Sequence, residues 1–110
     1  MGKFVKGDVV VLPFPFLDLS ASKRRPALVV AIASADDVVL AQITSSSFSD
    51  SYAVELADTD FFSGGISVAS NIRPNKLFTA DVNIIAYKAG NVKVEKLKDV
   101  ATIITDLVSI

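Results

Sequence analysis

Residues 7–32, GDVVVLPFPFLDLSASKRRPALVVAI, decide the fold of this chain. Two apolar runs flank a polar loop. Val9 to Val11 and Leu28 to Ile32 read as strands, because β-branched side chains pack well on a pleated surface. The connection, LDLSASKRRP, ends in three consecutive cations, Lys23, Arg24 and Arg25, followed by Pro26. Proline fixes its own φ and drives Arg25 into extended geometry, so the second run begins stiffly. A guanidinium pinned at the opening of a strand can contact a phosphate through two N–H groups, which a swinging lysine cannot. It can equally lie over apolar neighbours with only its head in water.

Outward from this pair, the strand pattern continues. Ala35-Asp36-Asp37 predicts a turn and Val38 to Ile43 a third strand. Thr44 to Ser51, TSSSFSDS, reads as a serine-rich loop, and Tyr52 to Leu56 as a short strand. Residues 58–65 predict a connection ending in a Gly-Gly turn, with Phe61 and Phe62 dipping into the core. Ile66 to Ile72 and Lys76 to Thr79 read as strands broken by Pro74. Ile84 to Lys88 reads as another short strand, and Gly90-Asn91 as a turn. Val94, Leu97, Val100, Ala101, Ile104, Leu107 and Val108 recur at helical spacing, so the last segment is an amphipathic helix packed on the sheet. The expectation is a mainly β protein with a C-terminal helix.

Composition narrows the chemistry. The 110 residues suffice for one domain, 1–110, and 51% of them are hydrophobic against 21% charged. So apolar a chain is expected to bury a further surface, such as a homodimer interface; a single monomeric species in sedimentation at micromolar concentration would count against this. No stretch reaches the ~18 apolar residues of a membrane span and no signal-peptide core is visible, so a cytoplasmic location is expected. Cysteine and histidine are both absent. That removes disulfides, thiolate metal sites and every nucleophile activated by histidine. Neither cofactor nor metal is expected.

Net charge is −1, but it is unevenly spread. Residues 31–70 carry six carboxylates and no cation, while Lys3, Lys6, Lys23, Arg24 and Arg25 fall in the first thirty. Basic charge is therefore local, which suits a small groove better than an extended duplex track.

Taken in order, GDVVVLPFPF, SKRRPALVV, AQITSS and NIRPNKLFTAD resemble the MazF/PemK family of toxins from bacterial toxin–antitoxin modules, over nearly the whole chain. The resemblance implies a small, partly open antiparallel β-barrel of the MazF/PemK/CcdB type with a terminal helix. It implies a metal-independent, sequence-specific endoribonuclease (an mRNA interferase) acting on single-stranded RNA. The RNA's own 2′-hydroxyl would attack, which suits a protein without histidine. It further implies a homodimer and a cognate antitoxin, for whose acidic tail the basic segment 20–26 is a landing site.

Residue by residue, Arg25 matches the family's catalytic arginine, Thr44 in AQITS the threonine beside it, and Arg73 in NIRPN a substrate-site arginine. Where relatives carry an aspartate two residues after that arginine, this chain has Asn75, assigned with Arg73 to substrate binding. The glutamate that many members carry before the strand-opening arginine is also missing. Asp18 is the nearest carboxylate and the candidate base. Lys23, Arg24 and Ser45 are expected to bind substrate, with Phe48 stacking on a base. Phe14 and Phe16 are expected in the core or an interface. The alternative is a toxin of the same fold that binds DNA gyrase without cleaving anything, or a degenerate RNA-binding relative.

Overall fold

The computed structural model describes residues 3–14, 23–45 and 50–110. Asp18, Phe16 and Phe48 lie outside the described residues, as do residues 46–49 of the loop from Thr44 to Ser51. Among the described residues, seven strands form one antiparallel sheet: β1 (Asp8–Pro13), β2 (Arg24–Ile32), β3 (Asp37–Thr44), β4 (Val54–Leu56), β5 (Phe61–Gly64), β6 (Ser70–Asp81) and β7 (Tyr87–Val92). Their order across the sheet is β4-β6-β3-β2-β1-β7-β5. One helix, α1 (Val94–Val108), follows. Mostly antiparallel strands with a C-terminal helix are what the sequence predicts.

The sheet curls because its central pairings are interrupted. Register shifts occur between Val9 and Val10 against β7, between Val29 and Ala31 against β3, and between Ala41 and Gln42 against β6. Each extra residue bends its strand and raises the local twist. Among the described residues β4 and β5 each pair with a single strand and stand at the two edges of the sheet.

Alternation along the strands builds two cores on opposite faces. Val9, Leu28, Ala41, Ile43, Ile72 and Leu56 face one way and pack with Val100, Leu97 and Ile104 of the helix. Val10, Leu12, Phe14, Ala27, Val29 and Leu40 face the other. There Phe14 meets Phe78 edge-on, ring centroids 5.0 Å apart at 70°. At the chain's opening, Gly7 takes a φ of 96° and bridges two strands. Its N–H donates to the Val29 carbonyl at 2.8 Å and its carbonyl accepts from the Val92 N–H at 2.9 Å. The adjacent Asp8, 1% exposed, accepts from the Val5 N–H and from Asn91 Nδ2, each at 2.9 Å.

Several sequence expectations are corrected. Gly90-Asn91 is no turn; both lie in β7, Gly90 opposite Val9 and Gly64. Space, not a special φ, demands the glycine: a Cβ at Gly90 would stand 2.5 Å from the Ser63 carbonyl oxygen and 2.8 Å from Phe61. The connection 58–65 contains an edge strand, β5, whose alternation buries Phe61 but leaves Phe62 81% exposed. Pro74 does not end a strand. β6 runs through it, and the partners jump from Ala41↔Leu77 to Gln42↔Arg73, so residues 74–76 bulge where no ladder hydrogen bond is required of the proline. Residues 66–69 precede β6 and are not strand.

The apolar stripe on α1 buries only its middle. Val100 is fully buried, while Val94, Ala101, Leu107 and Val108 are exposed. The helix rests on the sheet by its central turns and overhangs at both ends. Lys96, off the apolar stripe, reaches back to donate to the Glu55 carbonyl at 2.8 Å and lies 3.5 Å from Asp60 Oδ2.

Candidate nucleic-acid interface

The register places the candidate residues. Directly paired residues in an antiparallel sheet share a face, and consecutive ones alternate. Arg25 stands opposite Leu12. Ala27 stands opposite Gln42, and carrying that register two residues on sets Arg25 level with Thr44. Thr44 in turn pairs with Asn71, and Gln42 with Arg73. One row across four strands is therefore Leu12, Arg25, Thr44, Asn71; the next is Val10, Ala27, Gln42, Arg73. The β2–β3 ladder ends at Ala27↔Gln42, so Arg25 and Thr44 lie just beyond it, at adjoining ends of neighbouring strands, with Arg73 one strand further on.

Alternation also separates the two arginines. Arg25 goes with Ala27 and Thr44; Arg24 goes with Pro26 and Leu28 to the opposite face. The half-buried Arg25 is thus the one seated beside the hydroxyl, and the exposed Arg24 is not. Both arginines, Thr44 and Ser45 border one open cleft of about 620 Å³ at the strand ends, whose strand lining (Val11, Pro26, Ile43 and Tyr87) belongs to Arg24's face, so Arg25 and Thr44 reach it at its rim. Lys23 is exposed at the opening of β2, outside the cleft lining.

Tyr87 and Lys88 of β7 also line the cleft. Sequence reasoning assigns them nothing. The signal is an aromatic and a cation side by side in YKAGN, but only the pairing of Val11 with Tyr87 and Val10 with Lys88 brings them beside the first hairpin. Lys88 Nζ lies 3.9 Å from the buried Asp8 carboxylate.

Arg73 and Asn75 are not part of that cleft; they gather on Asp50 instead. Arg73 donates from Nε at 3.2 Å and from a terminal nitrogen at 3.0 Å to the same oxygen, Oδ2. The other oxygen, Oδ1, accepts the Tyr52 N–H at 2.9 Å. That backbone N–H holds the Asp50 carboxyl below its ordinary value of 3.8; the Arg73 guanidinium and a hydrogen bond from Asn75 add to the effect, while burial opposes it.

A pH dependence follows. A carboxylate whose folded pKa is depressed stabilises the fold above its unfolded value and loses that contribution as pH falls through the lowered folded value. With no histidine in the chain, no side chain of ordinary pKa titrates between about pH 5 and 8. Thermal unfolding followed by circular dichroism should give a melting temperature level across that window and falling below about pH 4. A melting temperature that climbs or drops steadily between those limits would contradict the assignment.

The described residues form a small curled antiparallel sheet with a terminal helix and cations gathered at its strand ends. The sequence profile of the PemK-like, MazF-like toxins of type II toxin–antitoxin systems matches residues 5–108, and the chain belongs to that family. Among solved structures it is similar to an endoribonuclease in complex with its cognate antitoxin from a mycobacterial species, with a TM-score of 0.73 and 14% identity over 94% of this chain and 92% of the other. It is also similar to the MazE–MazF complex of Deinococcus radiodurans, with a TM-score of 0.71 and 18% identity over 96% and 94%. The Mycobacterium tuberculosis toxin MazF-mt6 gives a TM-score of 0.70 and 16% identity over 90% and 93%. At these identities the likeness is one of fold. No curated protein sequence matches the chain significantly. Among the described residues no helix is long and apolar enough to cross a membrane.

Proposed function

We propose that this toxin is an endoribonuclease that cleaves single-stranded RNA through the RNA's own 2′-hydroxyl. The observation that carries the reading is that Arg25 and Thr44 lie at adjoining ends of neighbouring strands and border one cleft, with Arg73 following Thr44's face of the sheet. The 2′-oxygen attacks the adjacent phosphorus and the bond to the 5′-oxygen breaks, leaving a 2′,3′-cyclic phosphate and a 5′-hydroxyl. The 2′-hydroxyl loses its proton to a base, and the leaving oxygen takes one up.

The protein's tasks are alignment and charge stabilisation. Holding the attacking oxygen in line contributes several kcal/mol. Fixed donors aimed at the charge developing on phosphorus contribute about 3–4 kcal/mol each. Arg25 suits the second task. Its high pKa makes it a poor proton donor, so its role is to clamp the phosphate. The Thr44 hydroxyl donates to a non-bridging oxygen, with Ser45 beside it. Asp18 stays the candidate base on sequence grounds alone.

Arg24, on the opposite face of the strand, and Lys23, at its opening, meet flanking phosphates. Their contribution is electrostatic and weakens with salt. Arg24→Ala should weaken binding of a 2′-O-methyl RNA oligonucleotide and flatten its salt dependence by about 0.7 for each phosphate that is no longer neutralised. Fluorescence anisotropy over a salt series reads this; a slope identical to wild type would remove Arg24 from the interface.

A homodimer and a cognate antitoxin complete the reading. Both of the antitoxin complexes named above share this fold. Phe62, Val94, Leu107 and Val108 offer exposed apolar surface for such partners. A chemical test is direct: deoxyribose at the scissile nucleotide should abolish cleavage at that site alone, whereas a water nucleophile would be indifferent to it.

A further inference from the structure

Arg73 reaches the candidate face already held. Two of its nitrogens converge on one oxygen of Asp50, and the second oxygen is engaged by the Tyr52 N–H. The Asp50 carbonyl accepts the Ala53 N–H at 3.1 Å, so the anchor's backbone is fixed as well. The two side chains are 17% and 8% exposed. A surface ion pair between long, solvated side chains exchanges freely with water. This one joins a short, covered carboxylate to a guanidinium gripped through Nε, which sets the plane of the whole planar group.

Its location gives that plane a purpose. Arg73 pairs with Gln42 and lies diagonal to Thr44, across β3 from Arg25. We propose that Asp50 is a positioning residue of the site: it orients the Arg73 guanidinium at the face where Arg25 and Thr44 engage the reacting phosphate. Asp50 holds Arg73 through two nitrogens and Asn75 through one hydrogen bond, and the proposed positioning runs through the arginine. This inference rests on the RNA-cleaving reading above. A carboxylate that merely ties residue 50 to β6 would lower stability when removed and leave the chemistry of a folded variant untouched.

The test uses the full-length chain with single-turnover cleavage of an RNA oligonucleotide and binding of its 2′-O-methyl analogue. Asp50→Asn should slow cleavage by about tenfold to a hundredfold, the range expected when a positioned group moves by an ångström. Its affinity for the analogue should stay within about threefold, a loss in kcat and not in binding. In an Arg73→Ala background the same change should have no further effect, because the positioned group is gone. Wild-type rates from folded Asp50→Asn, or an equal slowing in both backgrounds, would overturn the proposal. If Asp50→Asn does not fold, Asp50→Glu keeps the charge but moves it by one methylene. Slowed cleavage at unchanged affinity then supports the proposal, and a wild-type rate overturns it.

If the wild-type chain cleaves no RNA, the endoribonuclease reading fails on its own. The Arg73 Nε–H resonance then judges Asp50. A shift on adding the analogue to wild type, absent in Asp50→Asn, supports positioning for RNA binding; no shift in either overturns it.

Discussion

Replacing Arg25 with alanine should lower the single-turnover rate of RNA cleavage by about a hundredfold to a thousandfold, the cost of removing one donor from a developing oxyanion. The fold should survive, because Arg25 stands at the start of β2 and only half buried. Arg25→Lys should recover little of the rate. Lysine restores the charge but not the planar fork that can hold two phosphate oxygens at once. Arg24→Ala is the internal control. One residue away but on the opposite face, it should lose affinity and salt sensitivity while keeping most of its rate at saturating RNA. Equal loss of rate in both variants would mean that the two arginines do not face opposite ways as the register places them.

The largest effect on stability is expected at Gly90. Its Cβ position is occupied by the Ser63 carbonyl and the Phe61 ring, and both belong to the neighbouring edge strand. Gly90→Ala should cost about 1–3 kcal/mol by overpacking, with Gly90→Val worse. For a domain of this size each kcal/mol lowers the melting temperature by about 4–8 °C. Size is the discriminating variable. A turn glycine with positive φ tolerates asparagine best, whereas Gly90, whose φ is not positive, should reject asparagine and valine alike. Thermal melts of the alanine, asparagine and valine variants decide this. An asparagine variant as stable as wild type would show that backbone conformation, and not space, is what selects the glycine.

Gly90 also shows where sequence reading stops. Gly-Asn is a strong local turn signal, and nothing within a few residues of it reveals that β5 passes against it from some 27 positions upstream. Phe62 misleads for a related reason: an edge strand of four residues is too short to display its alternation. Strands dense in valine and isoleucine, such as Val9 to Val11 and Val38 to Ile43, are legible because their own side chains specify them. The core of α1 is legible from spacing, but its overhanging ends are not, since periodicity does not say how far the sheet extends beneath a helix.

The site divides the same way. Arg25 stands out in the sequence as a cation stiffened by Pro26, but its assignment to the site comes from the family resemblance. Its partnership with Thr44 needs the register of two strands. Asp50 is invisible as a site residue: within TSSSFSDS it is one polar residue among many, and its partner Arg73 lies 23 positions away. Tyr87 and Lys88 require the sheet order, which places β7 beside β1 although the two are separated by most of the chain.

Incubating the purified chain with a long single-stranded RNA in EDTA, and mapping the new ends and their phosphates, tests most directly whether this toxin is an RNA-cleaving enzyme. Discrete cuts bearing 2′,3′-cyclic phosphate and 5′-hydroxyl ends, lost in Arg25→Ala, are the expected result. Intact RNA after incubation with folded protein, or cuts that persist unchanged without Arg25, would contradict it.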